Sequence, residues 1–397
     1  MASPAGPAAR AFDPAALGPL RLRNRLLKAA TYEGMTPGGL PSDALIRFHR
    51  TIAAGGVGMI TVAYGAVSPD GRTFGDQLCL TPDAAPGLRT LTDAVHAEGA
   101  AASIQLAHAG FFSKVRRRDG TAPRGPSTTL NPYGASAGVP LARAMTDADL
   151  AAVIDDFGNA AALAAECGFD AVEVHLGHGY LLSQFLSPAT NRRRDAYGGA
   201  VANRLRLPLA VVARVRERIG SARAVLAKTN LSDGFRGGLE LSDAIEVVRA
   251  LEGAGVDAVE LSGGFTSRTP FYLLRGGRPL DDMVKVAPSR LHKLILRLTG
   301  PLIIRAYPFE ELFFLPMARA VRRAVRVPLV LLGGALSLDN LATAMQEGFD
   351  FVALGRALIA DPDLPARFAR GEATRSRCTS CNRCVAEMDR GGVRCVL

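Results

Sequence analysis

The chain has no tryptophan, few aromatic residues (6% of 397), and only five lysines among its 47 basic side chains: Lys28, Lys114, Lys228, Lys285 and Lys293. Each scarcity excludes something. With so few rings, an aromatic cage for an alkylated amine is hard to assemble. The charge balance, 47 basic against 37 acidic residues for a net +10, is carried by arginine. Its one basic run, Arg116 to Arg118, has no interleaved aromatics, which argues against a nucleic-acid stripe. A basic surface still favours anionic substrates by long-range steering. No run of eighteen apolar residues occurs, so no membrane span or membrane partner is expected. The opening MASPAGPAAR lacks the apolar stretch of a signal peptide, which points to the cytoplasm.

What is present is alternation. Apolar, β-branched runs suited to buried parallel strands occur at Arg25–Ala30, Val57–Val62, Ala101–Leu106, Ala171–His175, Ala224–Thr229, Ala258–Leu261, Leu329–Leu332 and Phe351–Leu354. Stretches of helical period lie between them, among them Asp147–Cys167, Asn203–Ile219, Ser242–Gly253 and Pro308–Val325. Thr146 precedes Asp147 and Asp149, a cap with acidic residues in the first turn. Eight strand–helix units predict an α/β fold, a closed (β/α)8 TIM barrel over residues 1–372. An open doubly wound sheet is the alternative, weakened because no G-x-G-x-x-G follows a strand. Two excursions interrupt the alternation, Ser113–Ala144 after the third strand and Gly263–Leu302 after the sixth. The second carries Arg268, Tyr272, Arg275 and Arg278. Both leave carboxyl ends of strands and are expected over the barrel mouth, facing substrate; the alternative is a packing excursion or a contact in a homo-oligomer.

The segment Glu173 to Arg206, EVHLGHGYLLSQFLSPATNRRRDAYGGAVANRLR, places His175, His178 and Tyr180 at the carboxyl end of a strand, where such barrels keep their chemistry. It resembles the signature of the Old Yellow Enzyme family of FMN-binding (β/α)8 barrels. The resemblance runs from about Phe12 to Arg370. It implies that His175 and His178 bind the oxygen of an unsaturated carbonyl, and that Tyr180 delivers a proton to its α-carbon. A metal site is the other reading of the histidine pair. Only Glu173 is near in sequence, and it sits inside the strand.

A phosphate cradle is readable directly. Gly333 and Gly334 follow the seventh strand, and Gly355 and Arg356 follow the eighth, the two positions where barrels commonly bind phosphate. Lys228 ends the strand AVLAKTN. A lysine there needs a partner, and a bound anion is the expected one. The family resemblance implies that Lys228 lies beside the pyrimidine edge of the flavin and that Gln105 contacts its ring. It places Ala30 and Thr31 of the first strand against the ring, and Gly65 at a small position after the second.

Four of six cysteines fall at the end, Cys378-x2-Cys381-x2-Cys384-x10-Cys395, a cysteine-rich tail over 373–397. In a cytoplasmic protein that spacing points to metal, as a four-cysteine zinc site or an iron–sulfur cluster; free or redox thiols are the remaining reading. The motif is similar to the 4Fe-4S motif of a multidomain branch that includes 2,4-dienoyl-CoA reductase and trimethylamine dehydrogenase. Those chains continue into nucleotide-binding domains, and this sequence ends two residues after Cys395. A cluster there would take electrons from an external protein or serve only to pin the tail, and zinc could stand in its place. Cys79 and Cys167 read as ordinary core or surface residues.

The expectation is an FMN-dependent oxidoreductase that reduces an activated C=C bond, an enone or enoyl thioester, with NADH, NADPH or a protein as donor. The alternatives are a flavin-dependent amine or alcohol dehydrogenase and a flavin or iron–sulfur electron carrier without turnover.

Overall fold

The computed structural model describes residues 4, 6–287 and 289–397, without the side chains of 302 and 303. Part of the opening decapeptide and one position of the second excursion thus lie outside the described residues.

Eight parallel strands close into a barrel: β1 (Leu26–Lys28), β2 (Met59–Ala66), β3 (Ala101–Ala107), β4 (Ala171–Leu176), β5 (Ala224–Asn230), β6 (Ala258–Ser262), β7 (Leu329–Leu332) and β8 (Phe351–Leu354), with β8 pairing back to β1. Every residue of β4, β5, β6 and β8 is buried, as strands with side chains packed on both faces must be. The crossover helices are α1 (Asp43–Ala54), α2 (Ala85–Ala97), α3 (Asp147–Glu166), α4 (Arg206–Ile219), α5 (Leu241–Gly253), α6 (Leu315–Ala324), α7 (Leu338–Gln346) and α8 (Leu364–Ala369). Thr146 starts α3 with a full capping box against Asp149, which satisfies two otherwise orphaned N–H groups. The predicted Asn203–Ile219 helix is split into Val201–Arg204 and α4. The predicted helix from Pro308 begins only at Leu315, because Leu312 takes a left-handed φ of 52°.

The barrel interior is layered. At its amino-terminal end Leu27, Met59, Ala171, Ala224, Leu226, Ala258, Val330 and Phe351 pack together, closed below by a hairpin of Ala15–Leu17 and Leu20–Leu22. Two residues further along β4, β5 and β6, the inward positions become Glu173, Lys228 and Glu260, and two further still His175, Asn230 and Ser262. One end is oil and the other polar.

Both excursions rise from the carboxyl end. The first forms a small sheet from Arg124–Gly125, Thr129–Leu130 and Leu141–Ala144. The second carries helices Leu280–Val286 and Arg290–Ile303. The cysteine tail lies across the same end. Gly277 N donates to Ser380 O at 2.9 Å, Ser376 N to Leu336 O at 2.8 Å and Val393 N to Glu33 O at 2.7 Å. Arg383 pairs with Asp282 at 3.1 Å. At Gly276 (φ 133°) a Cβ would sit 2.0 Å from the Ser380 carbonyl oxygen, so only glycine lets the tail come this close.

Candidate active site

The turn after β4 brings the histidines together. His178 sits between Gly177 and Gly179 with φ 58°, a left-handed conformation that costs about 1–2 kcal/mol outside glycine. Three backbone bonds or bridges hold it there: its N–H donates to Asn230 Oδ1 at 3.0 Å, its carbonyl accepts from Thr266 N at 2.8 Å, and it bridges to Phe265. The result aims the imidazole across the mouth. Its Nε2 lies 2.7 Å from Ser262 Oγ, and its ring is 4.9 Å from that of His175. Tyr180 lies 4.7 Å from His175, ring to ring.

His175 and Tyr180 are buried and His178 is half-buried, and loss of solvent sets their protonation. Desolvation, with lesser repulsion from His178 and Lys228, drives His175 well below the usual histidine range. Desolvation, then Lys228, lowers His178 to about 3. At neutral pH both rings are therefore uncharged, each carrying one N–H. Burial raises the Tyr180 phenol above its ordinary value, so it keeps its proton. Neutral donors and a protonated phenol share one small space, which suits polarising a carbonyl and then supplying a proton.

Beside them runs a groove lined by Ala30, Thr31, His178, Lys228, Gly333, Gly334, Gly355 and Arg356, eight of the residues singled out in the sequence. Gly333 has φ 108°, and a Cβ there would meet Phe314 at 2.7 Å and Phe313 at 2.9 Å. Thr31 Oγ1 is buried without a partner, an orphan that a ring oxygen or nitrogen of a planar ligand would satisfy. The cradle, the orphan and the apolar wall of Leu273, Leu274, Phe309 and Phe313 fit a flavin mononucleotide.

Four residues stand differently from expectation. Lys228 does not wait for a bound anion: its Nζ lies 2.9 Å from Glu173 and 3.0 Å from Glu260, inward neighbours on the adjoining strands. Burial, with Glu173 adding and Lys228 opposing, lifts Glu260 to about 7. Gln105 donates to Glu173 at 2.6 Å rather than lining the groove. Gly65 lies away from the groove too; a Cβ there would strike Leu80 at 2.0 Å, and its smallness has a packing cause. Arg356 lines the groove, but its guanidinium donates to Asn382 Oδ1 and the Arg275 carbonyl, so it joins the groove to the tail.

Sequence reasoning missed the aromatic wall. Tyr64 lies 5.1 Å from Tyr180, Phe112 5.0 Å from Tyr180, and Tyr133 5.8 Å from Phe112. These rings come from β2, from the turn after β3 and from the first excursion, and no local spacing links them. Glu260 was missed as well, although a carboxylate inside the apolar run AVELS was a usable signal. Of the arginines, Arg117 is paired with Asp70, Asp119 and Asp149, while Arg268 stacks over Phe235 at 4.8 Å and Arg275 over Phe313 at 4.8 Å.

Cys378, Cys381, Cys384 and Cys395 line one small cavity with Arg356 and Asn382. Among the described residues, no group of three or more His, Cys, Asp or Glu side chains is placed to hold a metal ion, so the zinc expectation, the iron–sulfur expectation and the metal reading of the histidine pair alike gain no support from it.

Comparison with known proteins gives the family. The chain is 47% identical over 387 residues to the 4,4'-dithiodibutanoate disulfide reductase of Rhodococcus erythropolis, covering 97% of this chain and 94% of that one. It is 31% identical over 376 residues to the NADH oxidase of Thermoanaerobacter brockii, covering 94% of this chain but 52% of the relative. Morphinone reductase in complex with tetrahydroNAD superposes with a TM-score of 0.71 at 25% identity, over 94% of this chain and 93% of that one. Histamine dehydrogenase from Rhizobium sp. 4-9 gives 0.81 at 26%, over 98% of this chain and 52% of that one. Residues 10–264 match the NADH:flavin oxidoreductase / NADH oxidase family, and the chain, a flavin-dependent oxidoreductase, belongs to it.

Proposed function

We propose that the protein reduces an activated C=C bond, as in an enone or enoyl thioester, using FMN reduced by NADH or NADPH. The observation that carries this reading is the neutral His175–His178 pair beside protonated Tyr180 at the mouth of the groove. Ala30, Thr31, Gly333, Gly334, Gly355 and Arg356 would hold the flavin, which when bound supplies the hydride. Lys228, from the groove floor, would offset negative charge at its pyrimidine edge. His175 and His178 donate hydrogen bonds to the substrate oxygen, and those bonds strengthen as charge develops on it. Tyr180 gives its phenolic proton to the α-carbon, and the Tyr64 ring, 5.1 Å from its own, packs against it and holds it in place. The wall of Phe111, Phe112 and Phe265 keeps water from the carbanion-like carbon.

A second reading has its own support. The Rhodococcus relative reduces a disulfide between two carboxylate-bearing arms. Arg268 and Arg275, on the excursion over the mouth, are suited to such carboxylates. In that case Tyr180 would protonate the departing thiolate. Anaerobic NADH oxidation with 2-cyclohexenone and with 4,4'-dithiodibutanoate separates the two. Enone turnover that vanishes in His175→Ala/His178→Ala supports the first; turnover of the disulfide alone transfers the assignment to the second.

We also propose that Cys378, Cys381, Cys384 and Cys395 hold a 4Fe-4S cluster, their shared cavity being the support, with an external protein as electron partner. Iron and sulfide analysis of anaerobically purified protein tests it; flavin without iron would overturn it.

A further inference from the structure

Midway through the second excursion, the helix Arg290–Ile303 presents Leu291, Leu294, Ile295 and Leu298 to solvent, 64, 54, 48 and 68% exposed. Their spacing puts them in a single stripe along the helix. The other large apolar side chains exposed among the described residues, Leu40, Leu130, Leu141 and Leu397, form no such row. Residues 283–309 contain Lys285, Arg290, Lys293, Arg297 and Arg305 and not one Asp or Glu. Lys285 is spent on Asp282 at 3.2 Å. Among the described residues, the other four have no carboxylate partner.

We propose that this helix docks the protein on an anionic lipid surface, with the leucine–isoleucine stripe among the acyl chains and Arg290, Lys293 and Arg297 at the headgroups. A bare aliphatic stripe flanked by cations and free of acids is the pattern of an interfacial helix. A second copy of the chain is a poorer occupant, because two such faces would bring like charges together. A protein partner is poorer too, because binding hot spots favour Trp, Tyr and Arg over Leu, and the stripe has no ring. The placement has a use. The chain before this helix, Leu273 and Leu274, and the chain after it, Phe309 and Phe313, wall the groove. A helix lying on a bilayer therefore holds the groove beside it, where a lipid-soluble acceptor would arrive. The inference stands on the helix alone, independently of which acceptor is reduced.

The test is sedimentation of the full-length flavoprotein with sucrose-loaded vesicles, either pure phosphatidylcholine or phosphatidylcholine with phosphatidylglycerol. Binding is expected to the anionic vesicles and to weaken with salt. Leu294→Glu/Leu298→Glu should weaken it at least about tenfold, and Lys293→Glu or Arg297→Glu about fivefold each. Leu294, Arg297 and Leu298 are exposed and Lys293 is half-buried, and an unchanged melting temperature certifies the fold of each variant. Absence of binding to anionic vesicles, or binding indifferent to Leu294→Glu/Leu298→Glu, overturns the proposal. A dimer in solution that Leu298→Glu dissociates would overturn it also, assigning the stripe to a second copy.

Discussion

The two ends of the barrel are built from the same strands and obey opposite rules. On β4 the inward residues run Ala171, Glu173, His175; on β5 Leu226, Lys228, Asn230; on β6 Ala258, Glu260, Ser262. Each strand passes from apolar to charged to hydrogen-bonding within five residues. The amino-terminal end earns stability by excluding water. The carboxyl end accepts buried charge and a strained histidine, and is held by the hydrogen bonds and ion pairs around them. Stability and chemistry are thus separated along a strand rather than between domains.

That separation can be broken from either end. The largest effect is expected from Lys228→Met, which leaves Glu173 and Glu260 facing each other without a cation. Loss of one partner of a buried ionic group costs about 3–5 kcal/mol, and urea unfolding at neutral pH measures it. Next, His175→Ala/His178→Ala should lower kcat/KM for the accepted substrate about 10²–10³-fold while the melting temperature changes little, since alanine at 178 keeps the left-handed backbone and the hydrogen bonds that hold it. The converse is Leu226→Ala at the apolar end, expected to cost about 3 kcal/mol of stability with kcat unchanged. Equal kcat losses from the two sets of variants would abolish the distinction.

The smallest effect per residue is a pH dependence. Burial lowers His49 and His175 well below the histidine range, His108 to about 4 and His178 to about 3. In the unfolded chain each takes a proton near pH 6.5, whereas in the folded protein each resists until much lower pH. Between those limits the unfolded state binds more protons, so stability is full above about pH 6.5 and is lost as pH falls. The loss at pH 5 is about 2 kcal/mol per histidine. Thermal melts from pH 8 to 5 check this, and a flat profile would contradict the burial of these rings.

Legibility from sequence followed locality. The limits of β7 and β8 are those read from the sequence, because short apolar runs bounded by Pro328, Gly333, Asp350 and Gly355 leave little choice. His175, His178 and Tyr180 were readable because one turn supplies all three. The end of β2 was not, since it extends past a register shift between Val62 and Gly65. Nor was the partner of Lys228. A charged residue in a buried strand announces that a partner exists, but the identity of that partner depends on which strands become neighbours. The aromatic wall around Tyr180 needs β2, the turn after β3 and the first excursion in place before it exists at all. The helix start expected at Pro308 failed for a related reason: Leu312 donates its N–H to Gly334 O at 3.4 Å, so a contact across the groove overrides the local helical pattern.

The bond from Val393 N to the Glu33 carbonyl has a consequence in time. Synthesis delivers β1 long before the cysteine tail, so the loop after β1 must wait for the whole barrel before it gains this fastening. A chain shortened at its end should be loosened at its beginning, and protease nicking near Glu33 in such a chain would register the missing final stitch.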